Sequence, residues 1–391
     1  VGSEMCIRDR SLNFALFFFA YYGYVGVFSP YASLYFEDKG ISPAQIGVLM
    51  SLMQVMRIFG PNLWGWVADH TRQRVNVLRF TSVAAAVAFC GMFWGESFGF
   101  FFALMVTVNL FTSAQGPISE ALMLSAMRGD LTHYGRLRLW GSVGFIVAVM
   151  LSGQLLDWQG IALMPWIALI LLLMVCGVTF NMREETPALH PHDVPSVRSL
   201  LRQGPVLAFF ASTFMMVAAH SSLYVYYSLY LSDIGYSKTV IGLMWSLGVL
   251  VEIVFFFYQA PLFRRFGVRP LMLFSLAIAV LRFLMIGYGA QSLIVLLFAQ
   301  VLHAATFGVH HSASVATLQR WFSGPLQARG QALFISISYG LGGTLGGLLL
   351  SACWDTLGAR PVYLIAALMS LLGLLAAILS YRWQAEAGRK P

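Results

Sequence analysis

SLYFEDKGISPAQIGVLMSL at 33–52 and SLYLSDIGYSKTVIGLMWSL at 228–247 decide how this chain folds. They lie 195 residues apart and share ten of twenty positions, among them Tyr35/Tyr230, Asp38/Asp233, Gly40/Gly235, Ser42/Ser237 and Gly47/Gly242. Each copy closes one apolar segment, turns through a short polar loop and opens another. The chain is therefore a duplication, and a repeat takes precedence over any other reading of fold.

Outward from this turn the sequence is apolar almost throughout. Charged residues make up only 10% of the chain and mean hydropathy is +0.75, against about 25% charge in a soluble domain. Too few polar groups remain to cover a surface in water, so the solvent is lipid. Spanning a bilayer takes about 20 apolar residues. Twelve segments meet that length, near 11–36, 44–68, 76–94, 98–126, 136–156, 161–181, 205–231, 239–261, 271–289, 292–318, 331–353 and 361–382. The expected fold is an all-α membrane protein with two pseudo-symmetric six-helix bundles. Its domains are a bundle over 11–181, a Pro- and charge-rich cytoplasmic linker over 182–204, a bundle over 205–382 and a cytoplasmic tail over 383–391. The polar stretch VGSEMCIRDR at 1–10 lacks the apolar core of a signal peptide. It reads as a leader foreign to the fold or disordered, and the first apolar segment as an uncleaved anchor.

A net charge of +8 and a pI near 9.4 raise the question of nucleic acid, but the cations form no patch. One alternate set of connections holds Arg72, Arg74, Arg128, Arg136, Arg183, Arg198, Arg202, Arg264, Arg265, Arg269, Arg320 and Arg329. The other holds only Lys39, Lys238 and Arg360 as cations. The first set is expected to face the cytoplasm by the positive-inside rule, which puts both termini there. The four cysteines are scattered and form neither a disulfide framework nor a metal spacing. Repeated halves in an apolar chain point to a transporter with its site between them.

Ionisable residues inside lipid cost at least ~2.5–3.5 kcal/mol each and mark function by default. Glu120 and Arg138 lie nine residues either side of Gly129. An antiparallel hairpin sets them at one depth, where an ion pair forms that either serves structure alone or opens to a polar substrate. Arg57 and Glu252 are equivalent under the 195 offset and opposite in sign. Either they pair structurally with other buried groups, or Arg57 takes a substrate carboxylate and Glu252 a transported proton. His303 and His310, seven apart, share one face of the tenth segment with Gln300 and Thr306, so the histidines either pack or carry protons. Tyrosines such as Tyr24 and Tyr227 either belong to the interfacial belt or, with His220, line a cavity for a ring-bearing solute. The glycines at 340–347 allow close helix packing or sliding. No cofactor or metal is expected, and the energy source is a proton gradient. The partners are a small solute, protons and lipid, with no nucleic acid, and the protein is expected to act as a monomer.

The loop Gly65-Trp66-Val67-Ala68-Asp69-His70-Thr71-Arg72-Gln73-Arg74 resembles the G-x-x-x-D-x-x-G-x-R/K loop of the major facilitator superfamily. Gly65, Asp69 and Arg74 match, and Arg72 stands at the second glycine. The resemblance implies close packing at Gly65 and a gating latch at Asp69. Gly116-Pro117-Ile118-Ser119-Glu120-Ala121 with Tyr134–Gly144 is similar to the helix 4–5 region of lactose permease, which implies substrate contacts for Glu120 and Arg138. It likewise implies proton-coupling roles for Arg282 and His303, although Gln300 and Thr306 stand where that permease has lysine and glutamate. Pro61–Trp66, Trp245–Glu252, Leu302–Phe307 and Arg329–Leu333 resemble the 3-phenylpropionate permease group. That group implies proton symport of an aromatic carboxylate. Sugar or nucleoside symport is the alternative. A drug/proton antiporter is less favoured, because no Gly-Pro run closes the fifth helix. A histidine-metal membrane enzyme is disfavoured by scattered histidines without acids.

Overall fold

The computed structural model describes residues 2–126, 131–183, 198–323 and 326–387, without the side chains of 2–10, Asp69, 131–133, Ala328 and Ala387. Within them, twelve helices are long and apolar enough to cross a membrane. They are α1 (Ser11–Asp38), α2 (Pro43–Ala68), α3 (Arg74–Phe93), α4 (Phe98–Ala126), α5 (Tyr134–Gln159), α6 (Ile161–Asn181), α7 (Gly204–Asp233), α8 (Lys238–Phe266), α9 (Val268–Gly289), α10 (Leu293–Trp321), α11 (Arg329–Leu357) and α12 (Ala359–Glu386). No strand occurs among the described residues. The backbone of the leader continues the first helix from Gly2. Most of the linker, 184–197, lies outside the described residues.

The repeated turn explains its own identities. Gly40 and Gly235 both adopt positive φ, +78° and +99°, which a side chain resists. Ser42 accepts from the Gln45 amide and the Gln45 side chain returns to Ser42, a capping box opening α2. Ser237 accepts from the Val240 amide at 3.3 Å at the start of α8. The Tyr35 hydroxyl donates to the Met92 carbonyl at 2.8 Å, and Tyr230 to Gly287 at 3.2 Å. Those acceptors are also 195 apart.

The helices form two units. The first takes residues 1–190 with 235–246, and the second 191–234 with 247–391. The start of α8 therefore packs in the first unit, although the sequence division assigns it to the second bundle. In the first unit α1 packs along α5 and α6, and α3 along α4 and α6; in the second, α7 packs along α11 and α12, and α9 along α12. Large apolar side chains such as Phe59, Trp94, Trp158 and Phe257 are more than half exposed. A water-soluble chain would bury them, and lipid accepts them.

At the α2–α3 connection, close packing falls one turn earlier than the loop resemblance implies. Among the described residues a methyl on Gly65 would meet nothing within 4 Å, whereas one on Gly60 would run into the Ser113 side chain of α4. Arg72 holds φ +54° as the left-handed cap of α2, which is why glycine suits that position. Arg74 opens α3 and is buried, and the Asp69 side chain lies outside the described residues. A left-handed conformation costs a non-glycine residue about 1–2 kcal/mol. Arg72→Gly is accordingly expected to raise the midpoint of thermal unfolding in detergent, and Arg72→Val to lower it.

Candidate functional site

Two polar clusters interrupt the apolar interior, one in each unit. In the first, α4 breaks between Thr112 and Gln115. Pro117 lacks an amide proton and its ring crowds the carbonyl four residues back, which disfavours a continuous helix. Glu120 follows this break. Arg138, one turn into α5, approaches Glu120 with Nε 3.4 Å from Oε1. Arg138 Nη2 also donates to the Tyr22 hydroxyl at 2.5 Å. Its guanidinium lies 4.0 Å from the Tyr22 ring centre and 5.6 Å from that of Phe18. Phe18 and Tyr22 are one turn apart on α1, so both rings face the same cation. Arg57 of α2 is half-buried, and Tyr21 and Tyr22 both lie within range of the charges on Arg57, Glu120 and Arg138. The Glu120 and Arg138 side chains are 37% and 31% exposed. The pair is thus open to a solute, and in that setting an ion pair contributes little stability by itself.

Tyr24 stands elsewhere. It stacks on Phe28 at 5.7 Å and meets Phe89 edge-on at 5.9 Å, a place in the aromatic packing of the unit and not in the charged cluster. Two residues along a helix is about 200°, so Tyr22 and Tyr24 point apart. Sequence reading found the tyrosine cluster on α1 but not which tyrosine meets the arginine. The four-residue spacing of Phe18 and Tyr22 was the available signal.

The second unit holds a histidine-rich cluster. Glu252 of α8 lies 3.6 Å from His303 Nε2 of α10, and the His303 ring packs against Gly248, one turn before Glu252. Arg282 of α9 is 1% exposed. It donates to the Ala299 carbonyl (2.8 Å), Gln300 Oε1 (2.8 Å) and Thr306 Oγ1 (3.0 Å). The two residues standing where lactose permease has lysine and glutamate are thus neutral acceptors for this cation. His220 of α7 contacts the Met216 carbonyl at 2.8 Å and Thr306 Oγ1 at 3.3 Å. Tyr227, also on α7, is buried within range of the Arg282 charge.

One expectation fails here. His303 and His310 do not share a face. Residues 304–309 form a π-helical turn, and 335–342 of α11 form another. A π turn bonds i to i+5 and takes more residues per turn, so the seven-residue spacing no longer returns to one azimuth. His303 turns toward α8, whereas His310 turns toward Ser275 of α9, at 3.3 Å, and His311 toward Tyr339 of α11, at 3.0 Å. Ser275 and Tyr339 were invisible as partners because nothing in composition announces a π turn. Between the two turns lies a cavity of about 10 Å³ bordered by His220, Thr306, His310, Tyr224 and Tyr339 among others, room for a single water at most. Among the described residues no three of His, Cys, Asp and Glu converge to hold a metal.

A buried guanidinium cannot be released to water, so its three acceptors fix α9 against α10. Arg282→Met removes the charge but strands its three neutral acceptors, and is expected to lower stability by about 1–3 kcal/mol. Thermal unfolding in detergent checks this, and Arg282→Met with Gln300→Leu should recover part of the loss.

The comparisons with known proteins agree with this architecture. A family model described as "MFS_1 like family" matches residues 11–365. A protein of Escherichia coli K12 named as a probable 3-phenylpropionic acid transporter is 29% identical over 77% of this chain and 80% of its own. The maltose permease of Geobacillus stearothermophilus is 28% identical over 97% of each chain. Among solved structures, a mutant form of the nucleoside transporter NupG superposes with a TM-score of 0.84 at 17% identity, covering 95% of this chain and 99% of that one.

Proposed function

The chain belongs to the MFS_1 like family, within the major facilitator superfamily, whose members are membrane transporters and not enzymes, and from this premise we propose that it is a proton-coupled importer of a small aromatic carboxylate of the 3-phenylpropionate kind. The observation that carries the proposal is the half-open cluster of the first unit. Arg138 lies against the Tyr22 ring and beside Glu120, with Arg57 within charge range of the same tyrosines. A cation takes a carboxylate, and an aromatic face takes a ring. The similarity to the 3-phenylpropionic acid transporter supports the same substrate class.

Proton coupling is assigned to Glu252 with His303, backed by the fixed charge of Arg282. A proton on this pair neutralises a carboxylate that otherwise resists crossing the bilayer. Loading the proton permits the loaded carrier to reorient, and the empty, charged carrier is slow to return, which couples the two fluxes. His310 and His220 extend the polar path beside the small cavity. The arginine-rich connections support a cytoplasmic position for both termini. The gating role proposed for Gly65, Asp69 and Arg74 remains with that connection. The chain works as a monomer, without a cofactor.

A sugar or nucleoside substrate is the second reading. It is favoured by the full-length similarity to the maltose permease and by Glu120, which suits hydroxyl groups as readily as it suits Arg138.

Uptake of labelled 3-phenylpropionate into proteoliposomes under an imposed inward proton gradient tests both. Protonophore-sensitive accumulation is expected. Absence of uptake by folded protein, with uptake of maltose or a nucleoside, would replace the first reading by the second. Arg138→Ala is expected to reduce uptake at least tenfold, the loss of one charge-assisted contact being about 1.5–3 kcal/mol. Tyr22→Phe keeps the ring and should cost only a few-fold in KM. Glu252→Gln should spare substrate exchange while abolishing uphill accumulation, and unchanged accumulation would remove Glu252 from the coupling.

A further inference from the structure

The two copies of the repeated turn start their second helices differently. In the first copy Pro43 occupies the opening position of α2, where it has no amide proton to satisfy, and Ser42 and Gln45 cap each other. In the second copy Lys238 and Thr239 stand at the positions of Pro43 and Ala44, and both present amide protons. One carboxylate takes them. Asp157, at the end of α5, accepts from the Lys238 amide at 2.8 Å, the Thr239 amide at 2.8 Å and the Thr239 hydroxyl at 2.6 Å. The position equivalent to Asp157 under the 195 offset is Ala352. The acid is found on the side of the duplication where the donors are.

The backbone around this contact is tightly fitted. The Tyr31 hydroxyl of α1 donates to the carbonyls of Val149 (2.9 Å) and Lys238 (3.1 Å). A methyl on Gly153 would stand 2.7 Å from the Lys238 carbonyl oxygen, and one on Gly242 would stand 2.8 Å from that of Val149. Two glycines thus bring the start of α8 onto the backbone of α5. All these residues belong to the first unit, which takes in 235–246, while the same helix from Leu247 onward belongs to the second.

We propose that Asp157 is a positioning residue of the transport cycle: with Tyr31 it clamps the opening turns of α8 onto α5, and its release frees α8 to move. The inference rests on the transporter reading given above. A carboxylate at a helix start holds through charge-assisted bonds and the helix dipole, strongly enough to define a state and weakly enough to break.

The test is thiol labelling of the full chain in detergent. The four cysteines are replaced by serine and Val149→Cys is introduced, since Val149 is fully buried under the clamp. The background protein is expected to react slowly with a maleimide. Asp157→Ala is expected to label about tenfold faster or more, the equivalent of one charge-assisted hydrogen bond. Thr239→Val, which loses only the hydroxyl bond, should fall between. A control thiol at Ala168, buried in α6 of the same unit, should stay slow in every variant, which separates release of the clamp from general loosening. Labelling of Asp157→Ala at the background rate overturns the proposal, as does equal acceleration at Ala168. Where Asp157→Ala does not yield folded protein, Thr239→Val decides by the same two criteria. The readout needs neither substrate nor gradient, so a failed transport assay and a failed clamp are distinguishable.

Discussion

A guanidinium buried in a hydrocarbon-facing bundle cannot look to water, and Arg282 shows what that demands. Desolvating such an ion costs several kcal/mol, recovered only where donors and acceptors meet well. Its acceptors are a carbonyl, an amide and a hydroxyl, all on α10. The cation therefore specifies how α9 lies along α10. Thr306 sits inside the π turn, where it meets both Arg282 and His220. The geometry of the histidine cluster depends on that arrangement: His303 is left facing Glu252, while His310 and His311 meet Ser275 and Tyr339.

The first unit treats its cation differently. Arg138 has a carboxylate beside it and an aromatic ring beneath it, yet about a third of its side chain is exposed. A closed set of neutral acceptors makes Arg282 a structural hub. In the proposed function, the open, partly compensated pair lets Arg138 exchange a protein partner for a solute. The two arginines thus differ in role because they differ in how completely the protein itself satisfies them.

The duplication divides along similar lines. Where both copies need the same physics they agree: positive φ at Gly40 and Gly235, serine caps at Ser42 and Ser237, and tyrosine hydroxyls on carbonyls 195 residues apart. Where they differ, chemistry differs. Arg57 and Glu252 carry opposite charges at equivalent positions, and Pro43 gives way to Lys238, whose amide is taken by Asp157. Symmetry is kept in the scaffold and broken at the polar groups.

Twelve spans, the duplicated plan and the short list of buried charges were legible in the sequence because each is a local property. Hydropathy over twenty residues measures transfer into lipid, and a repeat is an identity of letters. The Glu120–Arg138 pairing was also legible, since equal distance from a turn fixes equal depth. Azimuth was not. Whether Tyr22 or Tyr24 meets Arg138 depends on how α1 is rotated against α5. Whether His303 and His310 align depends on a hydrogen-bond shift inside α10, and the contact of Asp157 with Thr239 depends on two glycines that let backbones touch. These are outcomes of packing between segments far apart in the chain. No window of sequence contains them, so only the tertiary structure could decide them.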